Sequence, residues 1–375
     1  MATSKHLALT LSLLLSGSVL ASPTFTPTTQ LPDGEWIDLS EDLCDVAQQT
    51  HSYLAQGNAY DPAAIHGGTT VWLNTPTERI QETLAYICEV VHEDQQMGRT
   101  SRLTDPDFIA EHFELLRWSP DQQRASQLSD DKPLLQRLPS DRLLLTKYYV
   151  RLTNGQPQQT PETPHALYGL PFDEAHLSLD EADAKRDHIT RYRYGKQTIV
   201  ANESSKDQAA HMRNLAPPLI WLSRDDLEGA LLQGTAVVNE PSGDRRYFNV
   251  HRNNGIAYDR TQRPEQQQRY WYFKEVQGVL GYGKDANYKI PILPKVTVAG
   301  DIFQLGLGRL ILLRTEEQGQ PVFRLTVLAD TGGAFHDNLY QLDWLSGYYR
   351  DWDDYYQANR HISDYADAWL LLKKQ

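Results

Sequence analysis

Hydrophobic residues recur at helical spacing in the first third of the chain and predict a helical N-terminal region. The segment Thr75-Pro76-Thr77-Glu78 has the pattern of a capping box with proline at the first helical position, and apolar residues follow at positions 80, 84, 87, 88 and 91. Similar helix starts lie at Asp105, Ser178 and Ser223. The helix from Asp105 is expected to bury Phe108, Ile109, Phe113 and Leu116.

Beyond residue 230 the hydrophobic pattern becomes typical of β-strands. Residues 296–299, 310–313 and 323–329 form short runs rich in β-branched and large apolar residues, with turn residues between them. The two runs that flank residues 316–321 predict a hairpin. Short strands at close spacing indicate a β-barrel, so the expected fold is mainly β with N-terminal helices. The stretches 154–164 and 261–268, rich in Gly, Pro, Gln and Thr, are the expected domain boundaries.

The first 21 residues have the pattern of a secretory signal peptide. Lys5 supplies the positive charge, residues 7–15 are apolar, and small residues end at Ala21. We expect residues 1–21 to be removed and the mature protein to begin near Ser22, in the periplasm; a buried N-terminal helix is the alternative. No cysteine near the cleavage site could carry a lipid anchor, and no stretch is long enough to span a bilayer.

The charge balance limits the partners of the exported chain. The sequence has 36 Lys and Arg against 49 Asp and Glu, a net charge of −13, and loss of Lys5 with the leader makes it −14. This acidity argues against nucleic acid and anionic membranes as partners. A bound polymer would instead be held by hydrogen bonds and stacking, for which the chain has eight tryptophans and twenty tyrosines.

The chain has two cysteines, Cys44 and Cys88. In an oxidising compartment an even number predicts one disulfide, and two buried free thiols are the alternative. The cysteines and histidines do not have the spacing of a zinc site, so neither a metal nor another cofactor is expected.

Several common catalytic motifs are absent or incomplete. Residues 305–308, Leu-Gly-Leu-Gly, lack the third glycine and the following helix of a dinucleotide site, and there is neither a phosphate loop nor a Gly-x-Ser-x-Gly elbow. Residues 330–332 read Asp-Thr-Gly, as in aspartic proteases, whose two carboxylates share a proton. Because a chain of this length would need a second copy of that motif and has none, we set this interpretation aside.

Three aspartates in the C-terminal part remain as candidates for chemistry. Asp301 and Asp330 follow predicted strands, where aspartate is common as a turn residue. Asp343 differs because it lies between Leu342 and Trp344 in an apolar run. Burial and a neighbouring carboxylate both raise the pKa of an aspartate, and a raised pKa keeps a general acid protonated near neutral pH.

The sequence around these aspartates resembles the C-terminal "3D" region of the lytic transglycosylase A family. The matching segments there are 272–274, 290–293, 296–301, 305–308, 328–334 and 342–347. Upstream, residues 146–149 (Thr-Lys-Tyr-Tyr) resemble the family's Thr-Gly-Tyr-Tyr, and Trp221 with residues 232–236 (Leu-Gln-Gly-Thr-Ala) resembles its Trp and Gln-Gly-Ser-Gly. Residues 254–258 (Asn-Gly-Ile-Ala-Tyr) resemble its Asn-Gly-x-x-Tyr. The segments occur in the family's order between residues 146 and 347.

The resemblance implies a discontinuous double-psi β-barrel with a second β-barrel domain inserted into it. The helical N-terminal region and the first part of the barrel would occupy residues 22–150, the inserted domain 151–268, and the completing 3D region 269–375. A groove between the two would hold a peptidoglycan glycan strand. The protein would act as a monomer, cleave the bond between N-acetylmuramic acid (MurNAc) and N-acetylglucosamine (GlcNAc), and leave a 1,6-anhydro end without consuming water.

The resemblance also assigns roles to single residues. Asp343 would perform both proton transfers, Asp330 would tune it and orient the sugar, and Asp301 would support the site. The expected substrate contacts are Tyr148, Gln233, Gly234, Thr235, Gly332, Gly333 and Trp344.

Departures from the family pattern leave two other functions open. Lys147 replaces a glycine, Thr235-Ala236 replaces Ser-Gly, and the spacing from Asp330 to Asp343 is one or two residues longer than usual. A catalytically inactive peptidoglycan-binding protein with the same groove is one alternative. A glycan hydrolase that uses water is the other, and it would need a second carboxylate, for which only Asp330 or Asp301 is available.

Overall fold

The computed structural model describes residues 23–69, 75–201, 212–284 and 288–375. The predicted signal peptide, residues 1–21, lies outside the described residues. The helices are α1 Ser40–Leu54, α2 Thr77–Gln96, α3 Pro106–His112, α4 Gln122–Gln127, α5 Pro133–Gln136, α6 Leu179–Ala184, α7 Lys196–Ala201, α8 Arg224–Gln233, α9 Ile302–Leu305 and α10 Trp352–Asn359. The strands are β1 Thr24–Thr28, β2 Glu35–Trp36, β3 Phe113–Ser119, β4 Leu143–Gln156, β5 His165–Tyr168, β6 Pro218–Leu222, β7 Thr235–Asn239, β8 Arg245–Asn253, β9 Trp271–Val276, β10 Thr297–Ala299, β11 Leu310–Glu317, β12 Gln320–Asp330, β13 Gln341–Tyr349 and β14 Tyr365–Lys373.

Six strands pair in a closed ring, which contains the larger core. The order is β4-β14-β11-β12-β10-β13, and β13 returns to β4. Two of these pairings are parallel, β10 with β12 and β13 with β4, and the others are antiparallel. Eight consecutive residues of β12 are buried, as expected for a strand that is covered on both faces.

A second sheet with its own core is inserted between β4 and β10. The long strand β4 joins the two, because its first part pairs with β13 and its last part pairs with β7 and β6. Strands β8 and β9 extend this sheet, and β5 pairs with β6. The second core contains residues from Ala166 to Phe273, so β9 continues it beyond the boundary predicted at residue 268.

The N-terminal helices pack on the ring, and a disulfide joins them. Ile80, Leu84 and Ile87 form one buried face of α2, which packs against α1 and β14. Cys88 of α2 reaches Cys44 of α1, with their Cα atoms 4.9 Å apart, and the predicted disulfide is confirmed. Among the described residues no helix is long and apolar enough to cross a membrane.

Two predictions about helices are wrong, the capping box at Thr75 and the extent of the helix that begins after Asp105. Helix α2 begins at Thr77 without a side-chain cap, because Pro76 has an extended backbone and the N–H of Thr75 bonds instead to the carbonyl of Gly67. The helix from Asp105 ends at His112, so Phe113 and Leu116 belong to β3. Strand β3 pairs on both sides, with β1 and β14, and these long-range hydrogen bonds override the helical spacing.

The predictions that rest on strong local signals are confirmed. Ser178 caps α6 in a capping box with Glu181, and the Ser223 side chain accepts from the N–H of Asp226 at the start of α8. Strands β11 and β12 form the predicted hairpin, with Glu316 opposite Pro321. The fold is mainly β with N-terminal helices, as predicted.

Candidate active site

Neighbouring strands bring Asp330, Asp343 and Tyr148 onto one face of the ring. Asp330 at the end of β12 and Asp343 of β13 are both in register with Ala299 of β10, which lies between those strands. On its other side Asp343 is opposite Thr146 of β4. Residues in register share a face of a sheet, and so do residues two apart in one strand. Tyr148 therefore lies on the same face of the ring as the two carboxyl groups.

Asp343 is half-buried, and its Oδ1 is a buried oxygen without a hydrogen-bond partner among the described residues. Burial is the largest cause that raises the pKa of Asp343 to about 6, and the negative charge of Asp330 adds to the increase. A hydrogen bond with Thr146 and the charge of Lys147 act in the opposite direction. Asp343 therefore keeps its proton closer to neutral pH than an ordinary aspartate does.

Lys147 follows Thr146 in β4, but its ammonium group is directed away from the carboxyl pair. Its Nζ donates to the carbonyl oxygens of Ile362 and Ser363 at 3.1 and 2.8 Å, and it lies 3.0 Å from Oδ1 of Asp364. The Lys147 side chain is only 6% exposed, so these contacts hold it in place. No Lys or Arg of the described residues forms a salt bridge with Asp343.

Asp330 differs from Asp343 because hydrogen bonds reach both of its oxygens. The hydroxyl of Tyr148 donates to Oδ2 at 2.8 Å, and the N–H of Thr331 donates to Oδ1 at 2.8 Å. Burial raises the pKa of Asp330 to about 6, while these two hydrogen bonds and the charge of Lys289 act to lower it. The hydrogen bonds favour the ionised form of Asp330.

A cleft of about 350 Å³ opens between the ring and the inserted sheet. Its walls include Tyr148 and Asp330 from the ring and Gln233, Gly234 and Thr235 from the inserted domain. Asp343 is on the strand next to this wall and is not among the lining residues. The predicted site residues of the two domains are thus brought together, with Asp330 closer to the open space than Asp343.

The turn from α8 to β7 presents the inserted domain's part of the cleft. Gly234 has a φ of +76°, and a Cβ there would approach Val250 to 3.3 Å, so glycine suits this position. Oε1 of Gln233 accepts from the N–H of Arg151 at 2.8 Å, and the Thr235 hydroxyl accepts from Nδ2 of Asn249 at 2.9 Å. The backbone turn and these two bonds fix the side chains at the rim.

Four of the predicted site residues lie elsewhere. Asp301 is fully buried, does not line the cleft, and accepts four hydrogen bonds, from the N–H groups of residues 303, 304 and 338 and from the Gln304 amide. Trp344 is 3% exposed and donates to the carbonyl of Lys295, which makes it a core residue rather than a wall of the cleft. Gly332 and Gly333 lie in an exposed loop after β12 and do not line the cleft.

Sequence reasoning missed several residues of the cleft wall. Tyr149, Asn249 and Lys289 line it, and Lys289 is close enough for its charge to affect the pKa of Asp330. Tyr149 follows Tyr148 in the matched segment. Adjacent side chains of a strand point to opposite faces, so the sequence gave no reason to assign both tyrosines to the cleft. Within the described part of the chain, no group of three or more His, Cys, Asp or Glu side chains could hold a metal ion.

No protein-family model matches the sequence, and no curated protein matches it. Solved structures do match. They include the membrane-bound lytic murein transglycosylase of Agrobacterium tumefaciens, with a TM-score of 0.56, 14% identity, and coverage of 94% of this chain and 98% of that one. MltA of E. coli with bound chitohexaose has a TM-score of 0.54, 16% identity, and coverage of 97% and 98%. MltA of Neisseria gonorrhoeae has a TM-score of 0.54, 15% identity, and coverage of 88% of both chains. Over almost its whole length, the chain has the fold of the lytic murein transglycosylase MltA.

Proposed function

We propose that this protein is a lytic transglycosylase that cleaves the β-1,4 bond between MurNAc and GlcNAc in peptidoglycan. Asp343 acts first as general acid and then as general base. The observation that carries the proposal is the half-buried Asp343, whose raised pKa and unpartnered Oδ1 accompany a position beside Asp330 and the cleft.

Two further observations support a glycan as the substrate. The fold is that of MltA, and the E. coli MltA structure contains bound chitohexaose. The cleft of this chain is lined by three tyrosines, two side-chain amides, two threonine hydroxyls and several apolar residues, and only Lys289 and Asp330 are charged. Such a surface suits a neutral sugar chain, which is held by stacking and hydrogen bonds.

The reaction needs one carboxyl group that changes role. Protonated Asp343 gives its proton to the glycosidic oxygen as the bond from C1 of MurNAc to that oxygen breaks. The resulting carboxylate then accepts the proton of the C6 hydroxyl as O6 attacks C1, which closes the 1,6-anhydro ring and restores the acid. No water is consumed, because the sugar supplies its own nucleophile, and a second catalytic carboxylate is not required. Ionised Asp330, held by Tyr148, raises the pKa of Asp343 and stabilises positive charge that develops at C1.

Asp343, rather than Asp330, is the proposed proton donor because no described residue donates a hydrogen bond to its buried Oδ1. Both oxygens of Asp330 already accept hydrogen bonds, so Asp330 is better suited to carry a charge than to deliver a proton. The unpartnered oxygen of Asp343 costs about 1–3 kcal/mol of desolvation free energy if no ligand satisfies it. A proton on this carboxyl group lowers that cost, because a neutral acid needs less solvation than a carboxylate.

The finer description of the fold and the location of the protein belong to the same proposal. The closed ring of six strands supports a double-psi β-barrel, and the sheet of β4 to β9 supports an inserted second barrel. Because its substrate lies outside the cytoplasmic membrane, we propose that the protein is exported to the periplasm by residues 1–21 and acts there as a monomer.

Digestion of purified murein sacculi, with the soluble products analysed by mass spectrometry, tests the reaction. The wild-type protein should release fragments with 1,6-anhydro-MurNAc ends, which are one water lighter than fragments with reducing ends. Asp343→Asn should reduce release at least about a thousandfold, since it removes the only proposed acid and base. Asp337→Asn is the matched control: Asp337 is 59% exposed and has a φ of +55°, which asparagine tolerates well.

The other functions give different results in the same experiment. Reducing ends would indicate hydrolysis by water, and binding of sacculi without release would indicate a binding protein. Full activity of Asp343→Asn with loss of activity in Asp330→Asn would assign the proton transfers to Asp330, which lines the cleft directly. Any of these results would overturn the proposed mechanism.

A further inference from the structure

A second cavity of about 320 Å³ lies in the inserted domain, next to the cleft. The two share Gln233, Gly234 and Val250 as lining residues. The far walls of the second cavity include Arg269 and Trp271. The two cavities are therefore neighbours at the turn that contains Gly234.

Arg269 is the uncompensated charge of this second cavity. Its guanidinium lies 4.5 Å from the centre of the Trp271 ring, and its Nε is buried without a hydrogen-bond partner among the described residues. No described carboxylate forms a salt bridge with Arg269. The other cation of the cavity, Lys196, is already neutralised, since its Nζ lies 2.6 Å from Glu228 and donates to the carbonyl of Pro264.

An arginine in this setting is suited to bind a carboxylate. The guanidinium presents its N–H groups as a planar fork that matches the two oxygens of a carboxylate, and stacking on the indole holds the fork in one orientation. Several other arginines of this chain also form no described salt bridge, but Arg269 lines a cavity and its guanidinium is held on an indole ring. A cavity wall with a cation that has no acidic partner among the described residues suits an anionic group of a ligand.

We propose that this cavity binds a carboxylate of the peptidoglycan stem peptide, with Arg269 as its ligand and Trp271 as the platform that orients Arg269. The proposal rests on the proposed function, because that function places a MurNAc residue in the neighbouring cleft. The stem peptide is attached to the lactyl group of MurNAc and carries free carboxylates. The cavity thus makes the protein specific for peptide-bearing strands over strands from which the peptides have been removed.

Binding without cleavage tests this inference. Fluorescently labelled glycan strands are prepared with their peptides and, from the same batch, after removal of the peptides by an amidase. Dissociation constants for both are measured by fluorescence anisotropy in the Asp343→Asn background, so that the strands remain intact. We expect peptide-bearing strands to bind at least about tenfold more tightly, the usual effect of a hydrogen bond to a charged group. Adding Arg269→Gln should remove this preference and leave binding of the stripped strands unchanged within about twofold.

Two variants keep the experiment interpretable. Arg269→Lys retains the charge but not the planar fork, so it should restore part of the preference. Arg137→Gln removes a positive charge from an exposed residue that lines neither cavity and should have no effect. Equal weakening on both kinds of strand, or no effect of Arg269→Gln on either, would overturn the inference.

Cleavage measured in parallel separates this inference from the proposed function. If wild-type protein cleaves stripped strands to 1,6-anhydro products while Arg269→Gln leaves the binding preference intact, the function stands and the stem-peptide site is refuted. If wild-type protein cleaves neither kind of strand, the proposed function fails, and the binding preference alone decides whether the carboxylate site exists.

Discussion

The electrostatic link between the two carboxyl groups can be tested by replacing Asp330 with asparagine. Asparagine can keep both hydrogen bonds, because its oxygen accepts from the N–H of Thr331 and its amide N–H can donate to the Tyr148 hydroxyl. The substitution therefore removes the negative charge with little change of shape. Since ionised Asp330 raises the pKa of Asp343, the variant should have a lower pKa at Asp343.

The size of the shift follows from the sheet. Asp330 and Asp343 are both in register with Ala299, so they are two strand spacings, roughly 10 Å, apart along the sheet. Two unit charges at that distance interact by about 1.7 kcal/mol at an effective dielectric constant of about 20, which corresponds to about one pKa unit. Burial is the larger cause of the raised pKa, and burial is unchanged in the variant. The pKa of Asp343 should therefore fall from about 6 by about 0.5 to 1 unit and remain above its ordinary value.

The pH dependence of kcat/KM on soluble murein fragments measures this shift. A general acid must be protonated, so the wild-type rate should fall as the pH rises through about 6. In Asp330→Asn this alkaline limb should move to lower pH by the same 0.5 to 1 unit, roughly. The plateau rate at low pH is also expected to fall, because Asp330 lines the cleft in which the sugar is proposed to bind. The position of the limb, rather than the rate, is the readout.

Two results would refute this reasoning. An alkaline limb that stays in place or moves to higher pH would show that Asp330 does not raise the pKa of the catalytic acid. A limb that moves equally in Asp337→Asn would show that the effect is general and does not come from the carboxyl pair. Asp337 is exposed, so its charge is screened by solvent and its replacement should leave the limb unchanged.

Three further predictions concern stability and substrate binding. Burial raises the pKa of Asp343 to about 6 from 3.8, so the stability of the folded state falls as the pH rises from about 4 through 6 and Asp343 ionises. Asp343→Asn should therefore increase the free energy of unfolding by about 2–3 kcal/mol at pH 8 and by almost nothing below pH 4, as measured by urea denaturation. An equal effect at both pH values would contradict this cause. Replacing both cysteines by serine removes the disulfide, which joins residues with a sequence separation of 44, and should lower the free energy of unfolding by about 4 kcal/mol. A loss under about 1 kcal/mol would show that the disulfide does not stabilise the protein by constraining its unfolded state. Trp352 is 64% exposed and packs on Tyr355, which stacks on the cleft residue Tyr149. Trp352→Ala should raise the KM for long glycan strands about threefold or more and leave the KM for short fragments unchanged. An equal change of KM for both lengths would argue against an extended sugar contact.

The sequence predicts those parts of the fold that depend on near neighbours in the chain. The Ser178 capping box, the Ser223 cap and the β11–β12 hairpin are each encoded within a few residues, and they form as predicted. Strand β3 was not predicted because its apolar residues also fit a helix, and the choice is made by pairing with β1 and β14. Those strands lie about 90 residues before β3 and about 250 residues after it. A pattern of neighbouring residues in the sequence cannot reveal pairing over such distances.

The candidate site divides in the same way. The raised pKa of Asp343 was predictable, because its apolar neighbours Leu342 and Trp344 occur in the same run of sequence. The resemblance implied that Trp344 contacts the substrate, but Trp344 is adjacent to Asp343, and adjacent residues of a strand point to opposite faces. Arg269 has no local signal in the sequence, since only the structure places it on the wall of a cavity and over the ring of Trp271.

The hydrogen bonds of the carboxyl pair determine which acid keeps the proton. Two carboxylates on one face of a sheet repel each other, so the pair loses its first proton more readily than its second. Asp330 ionises first, because the Tyr148 hydroxyl donates a hydrogen bond to one of its oxygens and the Thr331 N–H donates to the other. That charge then raises the pKa of Asp343, whose Oδ1 accepts no hydrogen bond from the residues that the structure describes. Tyr148 therefore acts on the proton of Asp343 through Asp330, and Tyr148→Phe should make both carboxyl groups titrate differently although it contacts only one of them.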